Sequence, residues 1–420
     1  MRVLLISNMW PSLKHPHYGV FVENTYRELL RDGLDVSKIA ICKHDTLFGK
    51  LKEYAFFFIK VVLGIASRRY EVVYAHYASH TACPILIGRV LNPRIRVVVN
   101  VHGNDIVPET GKDAFFVRHS KKLIAIAKFV ISPSEYFARI LEADFFVPRE
   151  KIVVYPSGGV DTRLFAPRDR KLSREKFSFE KSNYVIGLFG RIEKDKGWDV
   201  FLQAAAQLIE REDKDYKLFV IGEGSCEKEF WDLASRLNLR PYIEKRDMVS
   251  QHVLADAYSA VDVFVFPTRR ASDSLGLVGL EAMSCQALLV VGDKYGPSSY
   301  AVDGWNCVCF DPFRWESLYE ALSFVTSIGD ERIVDAIKGR ARETALEYDS
   351  AKSSGKLTRV FVSDDGGERY YLRCFLCGTL HFDKHRFAPQ NKSRSMQSGF
   401  YFLVGIHGFA WVRSSRLWLL

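Results

Sequence analysis

Short apolar runs alternate along most of this chain with longer stretches whose apolar positions recur at helical spacing. Residues 2–6, 36–41, 72–75, 95–101, 129–132 and 152–155 read as buried strands, with helices such as 22–32 and 82–91 between them. The alternation then restarts. Residues 184–189, 216–221, 263–267, 288–291 and 306–310 read as strands, and 198–211, 226–237, 251–260, 276–284 and 315–326 as helices. Strands separated by helices pair in parallel, so the pattern predicts an α/β protein whose sheets are covered on both faces. Between the two series, Pro156, Gly158, Gly159 and Pro167 punctuate a loop that runs into the charged stretch 168–181, which marks a domain boundary. The expected architecture is two Rossmann-like, doubly wound domains, residues 1–167 and 168–348. Ligands bind beyond the carboxyl ends of parallel strands, so two such sheets facing each other make one cleft.

Composition narrows the class. At 420 residues, 48% of them hydrophobic and 26% charged, the chain buries enough for two domains. No run approaches the ~20 apolar residues of a spanning helix, the greasiest segment, 54–66, being broken by Lys60. The opening Met1-Arg2-Val3-Leu4-Leu5-Ile6-Ser7 is too short for a secretory signal, so a cytoplasmic protein is expected. Cysteines such as Cys83 and Cys285 lie in apolar runs and read as reduced core thiols. The net charge of +9 raises nucleic acid as a partner, yet the basic residues interleave with helical-period apolar ones and match no nucleic-acid motif, so none is expected. Residues 50–69 combine an aromatic body (Tyr54, Phe56, Phe57, Phe58) with Lys50, Lys52, Arg68 and Arg69, a pattern that suits an anionic membrane surface. A core helix with solvated lysines fits the same pattern.

From about residue 364 the alternation stops, and no carboxylate follows Asp383. Residues 364–420 are therefore set apart as an atypical tail. Cys374, Cys377, His381 and His385 are zinc-ligand types, but three residues between Cys377 and His381 fall far short of the ~12-residue spacing of a zinc finger, and chance accounts for them better.

The chemistry concentrates in four segments. After the strand at 263–267 comes Asp273-Ser274-Leu275-Gly276-Leu277-Val278-Gly279-Leu280-Glu281, in which the backbone N–H groups of Leu275, Gly276, Leu277 and Val278 open a helix where a diphosphate can be held. Asp273 and Glu281 reach different parts of an extended ligand. Arg191 and Lys196 follow the strand at 184–189, placed to neutralise a leaving diphosphate. His102 follows the strand at 95–101, and Gly19 the first strand, where a helix-start glycine is an equal reading. That first strand leads into Asn8-Met9-Trp10-Pro11 instead of a Gly-x-Gly-x-x-Gly turn, which counts against a dinucleotide oxidoreductase.

The segment from Asp273 to Glu281 resembles the acid-x7-acid signature of family-4 glycosyltransferases of the GT-B fold, and the similarity extends from Met1 to about Ser363. The resemblance implies transfer of a sugar from a nucleotide-sugar donor to an acceptor hydroxyl with retention of configuration, and no metal or other cofactor. It implies that Glu281 binds the ribose, that Asp273 lies by the transferred sugar, and that Arg191 and Lys196 bind the diphosphate. His102 contacts the sugar, Gly19 adjoins the diphosphate, Val249 lines the base, and a helix over residues 349–363 returns to the first domain. Asp273 stands where the family has Glu, one methylene longer. A saccharide or lipid-linked acceptor from cell-envelope glycan synthesis is the implied partner. A nucleotide-sugar epimerase, or a binding protein that has lost turnover, are the alternatives on the same fold.

Overall fold

The computed structural model describes residues 1–16, 18–156, 158–353, 356–362, 410–413 and 416–419. The first lobe is built on β1 (Arg2–Trp10), β2 (Asp35–Cys42), β3 (Val72–His76), β4 (Arg96–Asn100), β5 (Phe129–Ser132) and β6 (Ile152–Val154), all parallel in the order β2-β1-β3-β4-β5-β6. Between the strands run α1 (Val20–Arg31), α2 (Leu47–Ala66), α3 (Ala78–Leu91), α4 (Gly111–Ala125) and α5 (Glu135–Phe145). Alternate residues of each strand feed opposite faces. Leu4, Ile6, Val73, Ala75, Val97 and Val99 pack under α2 to α5, while Val3, Leu5, Tyr74 and Val98 pack under α1.

The second lobe opens with α6 (Arg170–Lys176), which lies in the charged stretch read as a boundary. That stretch is clamped. Arg174 donates to Asp262 at 2.5 Å and to the Ala260 carbonyl, while Arg168 and Lys176 both reach Asp256 at 2.7 Å. The sheet follows as β7 (Tyr184–Phe189), β8 (Tyr216–Ile221), β9 (Ile243–Arg246), β10 (Val263–Phe266), β11 (Leu288–Gly292) and β12 (Val308–Phe310), in the order β12-β11-β10-β7-β8-β9. Helices α7 (Trp198–Arg211), α8 (Glu227–Arg236) and α11 (Trp315–Ser327) cover one face. The other is covered by α9 (Gln251–Ala260), α10 (Leu277–Ser284) and α12 (Glu331–Glu347). In each sheet the strand order reverses once, between β1 and β3 and between β7 and β10, and those switch points are where parallel sheets open crevices for ligands.

The chain comes back after α12. Val160 of the inter-lobe loop bridges in parallel to Asp349, and α13 (Ser350–Ser353) leads to α14 (Lys356–Val362). Leu357, Val360 and Phe361 of α14 are buried beside α1 on the first sheet, the Phe361 ring meeting Tyr74 edge-on at 5.1 Å. A second compact unit spans Gly367–Leu420, of which an antiparallel pair, β13 (Ala410–Arg413) and β14 (Arg416–Leu419), is described. Cys374, Cys377, His381 and His385 lie outside the described residues.

Because Phe361 fills the first lobe's core from outside its own sequence, Phe361→Ala is expected to cost about 3 kcal/mol. Ending the chain after Ser363 is expected to leave stability nearly unchanged. Urea unfolding followed by first-lobe tryptophan and circular dichroism checks both, and a wild-type midpoint for Phe361→Ala would refute the packing role of α14.

Candidate active site

The two lobes face each other across a cleft of about 610 Å³ whose wall includes Tyr77, His102, Arg191, Lys196, Arg270 and Asp273. Every one of these follows the carboxyl end of a strand: Tyr77 after β3, His102 after β4, Arg191 and Lys196 after β7, Arg270 and Asp273 after β10.

The loop after β10 is shaped by glycine. Gly276 takes φ +79° to turn the chain into α10, and a Cβ there would stand 2.8 Å from the Phe266 ring. The turn leaves the N–H groups of Leu275, Gly276, Leu277 and Val278 without an acceptor among the described residues. An unpaired first turn carries partial positive charge and suits an anion. Arg191 lies nearby on the cleft wall, exposed and in no ion pair among the described residues.

Lys196 and Asp273 do not act separately. Lys196 Nζ meets Asp273 Oδ2 at 2.5 Å, and Thr268 Oγ1 donates to the same oxygen at 2.6 Å. Both partners engage Oδ2, so Oδ1 is left for a ligand. Further ties hold the loops after β7 and β10 together, Arg269 reaching Asp199 at 2.6 Å and the Lys194 carbonyl at 2.8 Å.

Glu281 sits deeper on α10, where Tyr258 donates to it at 3.2 Å. Burial pushes its carboxyl up to about 7, the Tyr258 hydrogen bond opposing only part of that.

The first-lobe wall is neutral. His102 is enclosed by Phe21 and Tyr77, with ring centroids at 4.8 and 4.9 Å, and burial pushes its pKa down to about 3. Its loop is fixed by buried Asp105, which accepts from the N–H groups of His102, Gly103 and Ala78, the last opening α3.

Three of the expected residues lie off the cleft wall in this structure. Glu281 is one. Val249 packs against the second-lobe core, and its neighbour Met248 lines the cleft. Gly19 caps α1 at φ +80°, and a Cβ would stand 2.7 Å from the Met9 backbone, so its need for glycine comes from the β1–α1 turn.

Sequence reasoning missed Tyr77, Arg270 and Glu109. Arg270 and Glu109 form a two-pronged ion pair across the lobes, Nε to Oε1 at 2.6 Å and Nη2 to Oε2 at 2.9 Å. They stand 161 residues apart, and no local pattern announces such a pair. Tyr77 carries a signal only in its backbone, a φ of +60° rare for a non-glycine residue.

The chain matches the Glycosyl transferase 4-like domain family over residues 15–158 and the Glycosyl transferases group 1 family over residues 169–340. It is 26% identical to D-inositol 3-phosphate glycosyltransferase 1 of Catenulispora acidiphila over 319 residues, 71% of this chain and 74% of that protein. Mannosylfructose-phosphate synthase of Agrobacterium fabrum is 28% identical over 214 residues, 48% of this chain and 46% of that one. In fold it is similar to Anabaena HepE, crystallised with UDP and glucose, at a TM-score of 0.66 and 19% identity over 86% of this chain and 99% of HepE. Sucrose-phosphate synthase of Thermosynechococcus elongatus superposes at a TM-score of 0.69 and 15% identity, covering 86% and 98%. Two parallel sheets, a cleft between their carboxyl ends and family matches over both lobes together place the chain in the group 1 glycosyltransferases: it is a glycosyltransferase of the GT-B fold.

Proposed function

We propose that this enzyme moves a sugar from a nucleotide-sugar donor to an acceptor hydroxyl, with retention of configuration and without a metal. The observation that carries this reading is the convergence, at one switch point, of four unpaired amides at the start of α10 with the Arg191 and Lys196 side chains. That set suits a diphosphate, which needs several donors and cationic charge at once. HepE, of the same fold, was crystallised with UDP and glucose, which supports a nucleotide-sugar donor here.

In this reading the diphosphate lies on the α10 amides and Arg191, Glu281 takes the ribose hydroxyls, and the sugar sits between Asp273 and His102. Negative charge grows on the diphosphate as the bond to the sugar breaks, and Arg191 and Lys196 stabilise it. Asp273 Oδ1 then faces the positive charge developing on the sugar. An acceptor hydroxyl attacks from the face that the diphosphate leaves, forming the new glycosidic bond and giving its proton to the departing diphosphate oxygen.

The first lobe offers a surface for a lipid-linked acceptor of envelope glycan synthesis at the cytoplasmic face of a membrane. No described helix is long and apolar enough to cross a membrane. On α2, however, Leu47, Phe48, Leu51, Phe56, Ile59 and Leu63 are exposed beside Lys50, Lys52 and Lys60. Apolar side chains among cations suit the interface of an anionic bilayer.

Arg191→Ala is expected to depress turnover about 100-fold, with a smaller loss of donor affinity, because its contribution grows in the transition state. A screen of nucleotide sugars by thermal shift identifies the donor for that assay. Unchanged turnover at saturating donor would overturn the mechanism.

Glu281 gives a pH signature. Its folded carboxyl titrates near 7, above the ordinary carboxylate range, so its contribution to stability is present at low pH and is lost as pH rises through about 7. Glu281→Gln should therefore melt higher than wild type at pH 8.5, with the gap narrowing at pH 5.5. Donor affinity of the wild type should rise through the same range as the carboxylate ionises to accept ribose hydroxyls, and Glu281→Gln should lose that slope. Calorimetric titration and melting curves check both, and pH-independent donor affinity in the wild type would refute the ribose assignment.

For the membrane surface, the protein should sediment with phosphatidylglycerol vesicles but not with pure phosphatidylcholine. High salt, or Lys50→Glu with Lys52→Glu and Lys60→Glu, should release it. Equal, salt-insensitive partitioning would sink the idea.

A further inference from the structure

A polar ladder runs through the first lobe on the α1 face of its sheet. Tyr74 and His76 belong to β3, Asn100 of the adjacent β4 pairs with His76, and His102 lies two residues further toward the cleft. Asn100 Nδ2 donates to the Tyr74 hydroxyl at 2.8 Å. His76 Nδ1 lies 2.9 Å from His102 Nε2. The two imidazole planes are inclined by only 13° with centroids 5.0 Å apart, the separation that an in-plane hydrogen bond plus the two ring radii requires. The rings therefore lie edge to edge, in the geometry of an N–H···N bond.

We propose that His76 is a positioning residue that fixes His102 in the tautomer carrying its proton on Nδ1, so that His102 offers the bound sugar an N–H donor and is not a base. Both rings are neutral, burial holding each pKa below the ordinary histidine range, so one proton lies between them. If His102 Nε2 donated it, the proton of His76 would sit on Nε2. That atom is buried and has no partner among the described residues. A buried N–H without an acceptor is among the rarest features of folded proteins, whereas an idle acceptor is tolerated more often. The proton therefore belongs to His76 Nδ1, His102 Nε2 accepts it, and the remaining nitrogen, Nδ1, bears hydrogen.

The role of His102 toward a sugar rests on the donor reading above, but the tautomer does not. Long-range proton–nitrogen correlation spectra of the full chain with nitrogen-15 histidine read it without any ligand. His102 is expected as the Nδ1–H form from pH 6 to 9, and its appearance as the Nε2–H form would overturn the proposal. His76→Leu removes the donor, and His102 should then show a mixture of the two forms. His76→Asn restores an N–H at the position of Nδ1, and should restore the single form.

With UDP-glucose as probe, hydrolytic release of UDP should fall at least tenfold in kcat for His76→Leu, with KM within twofold, and recover in His76→Asn. A folded His76→Leu with wild-type kcat and an unchanged His102 spectrum would refute the positioning role. If the spectra behave as expected while no variant or wild type turns over UDP-glucose, the tautomer stands and the choice of donor falls.

Discussion

The loop that leaves β10 must serve two surfaces at once, and the rest of the molecule is arranged around that constraint. Toward the second lobe it turns through Gly276 and leaves the first amides of α10 unpaired among the described residues. Toward the first lobe it is gripped along its length. Ser134 donates to the Ser274 carbonyl, Tyr136 to the Ala271 carbonyl at 3.1 Å, and Glu109 holds both Arg270 and Ser272. The amides that suit the ligand and the bonds that join the lobes therefore belong to one short segment. Cleft geometry and lobe contact cannot vary independently.

The two walls divide the electrostatics. Cations and the helix start lie on the second lobe, while the first presents neutral rings enclosed by aromatics. Charge is not in excess even on the second lobe, because Lys196 is matched by Asp273 at 2.5 Å and Arg270 by Glu109 at 2.6 Å, leaving Arg191 as the cleft-wall cation without a carboxylate partner among the described residues. A ligand anion must share Lys196 with Asp273, so in the proposed mechanism the carboxylate by the sugar is coupled to the cation by the leaving diphosphate. The aspartate, shorter than the glutamate the family signature carries, keeps this pair tight through Thr268. Water is displaced from such a cleft by the ligand itself, which strengthens each of these contacts.

Most of the scaffold was legible because its periods and punctuation agree. Trp198–Arg211 starts after Gly197, and Gln251–Ala260 after Ser250, whose hydroxyl accepts from Val253, so both helices have the bounds that the sequence predicts. The strand Ile243–Arg246 was missed: four residues long, three of them charged, it lies at the sheet edge and shows no apolar alternation. The charged run 168–181 reads locally as a solvated boundary, yet its arginines are spoken for by Asp256 and Asp262, more than seventy-five residues away. In the site, residues on strand-end motifs were legible by type and place. The Lys196–Asp273 pair, the Arg270–Glu109 bridge and the His76–His102 bond were not, since each joins separate loops and exists only once the sheets are formed.

The central claim is that the free amides at the start of α10 hold the donor's diphosphate. Amides without acceptors exchange their hydrogens quickly, and a bound diphosphate gives them partners. The most direct test is amide hydrogen exchange over residues 274–281, with UDP at a concentration that calorimetry proves saturating. Strong protection of Leu275 to Val278, weakened by Arg191→Ala, is the predicted result. Saturating UDP that leaves those amides exchanging as fast as in the free protein would contradict the account.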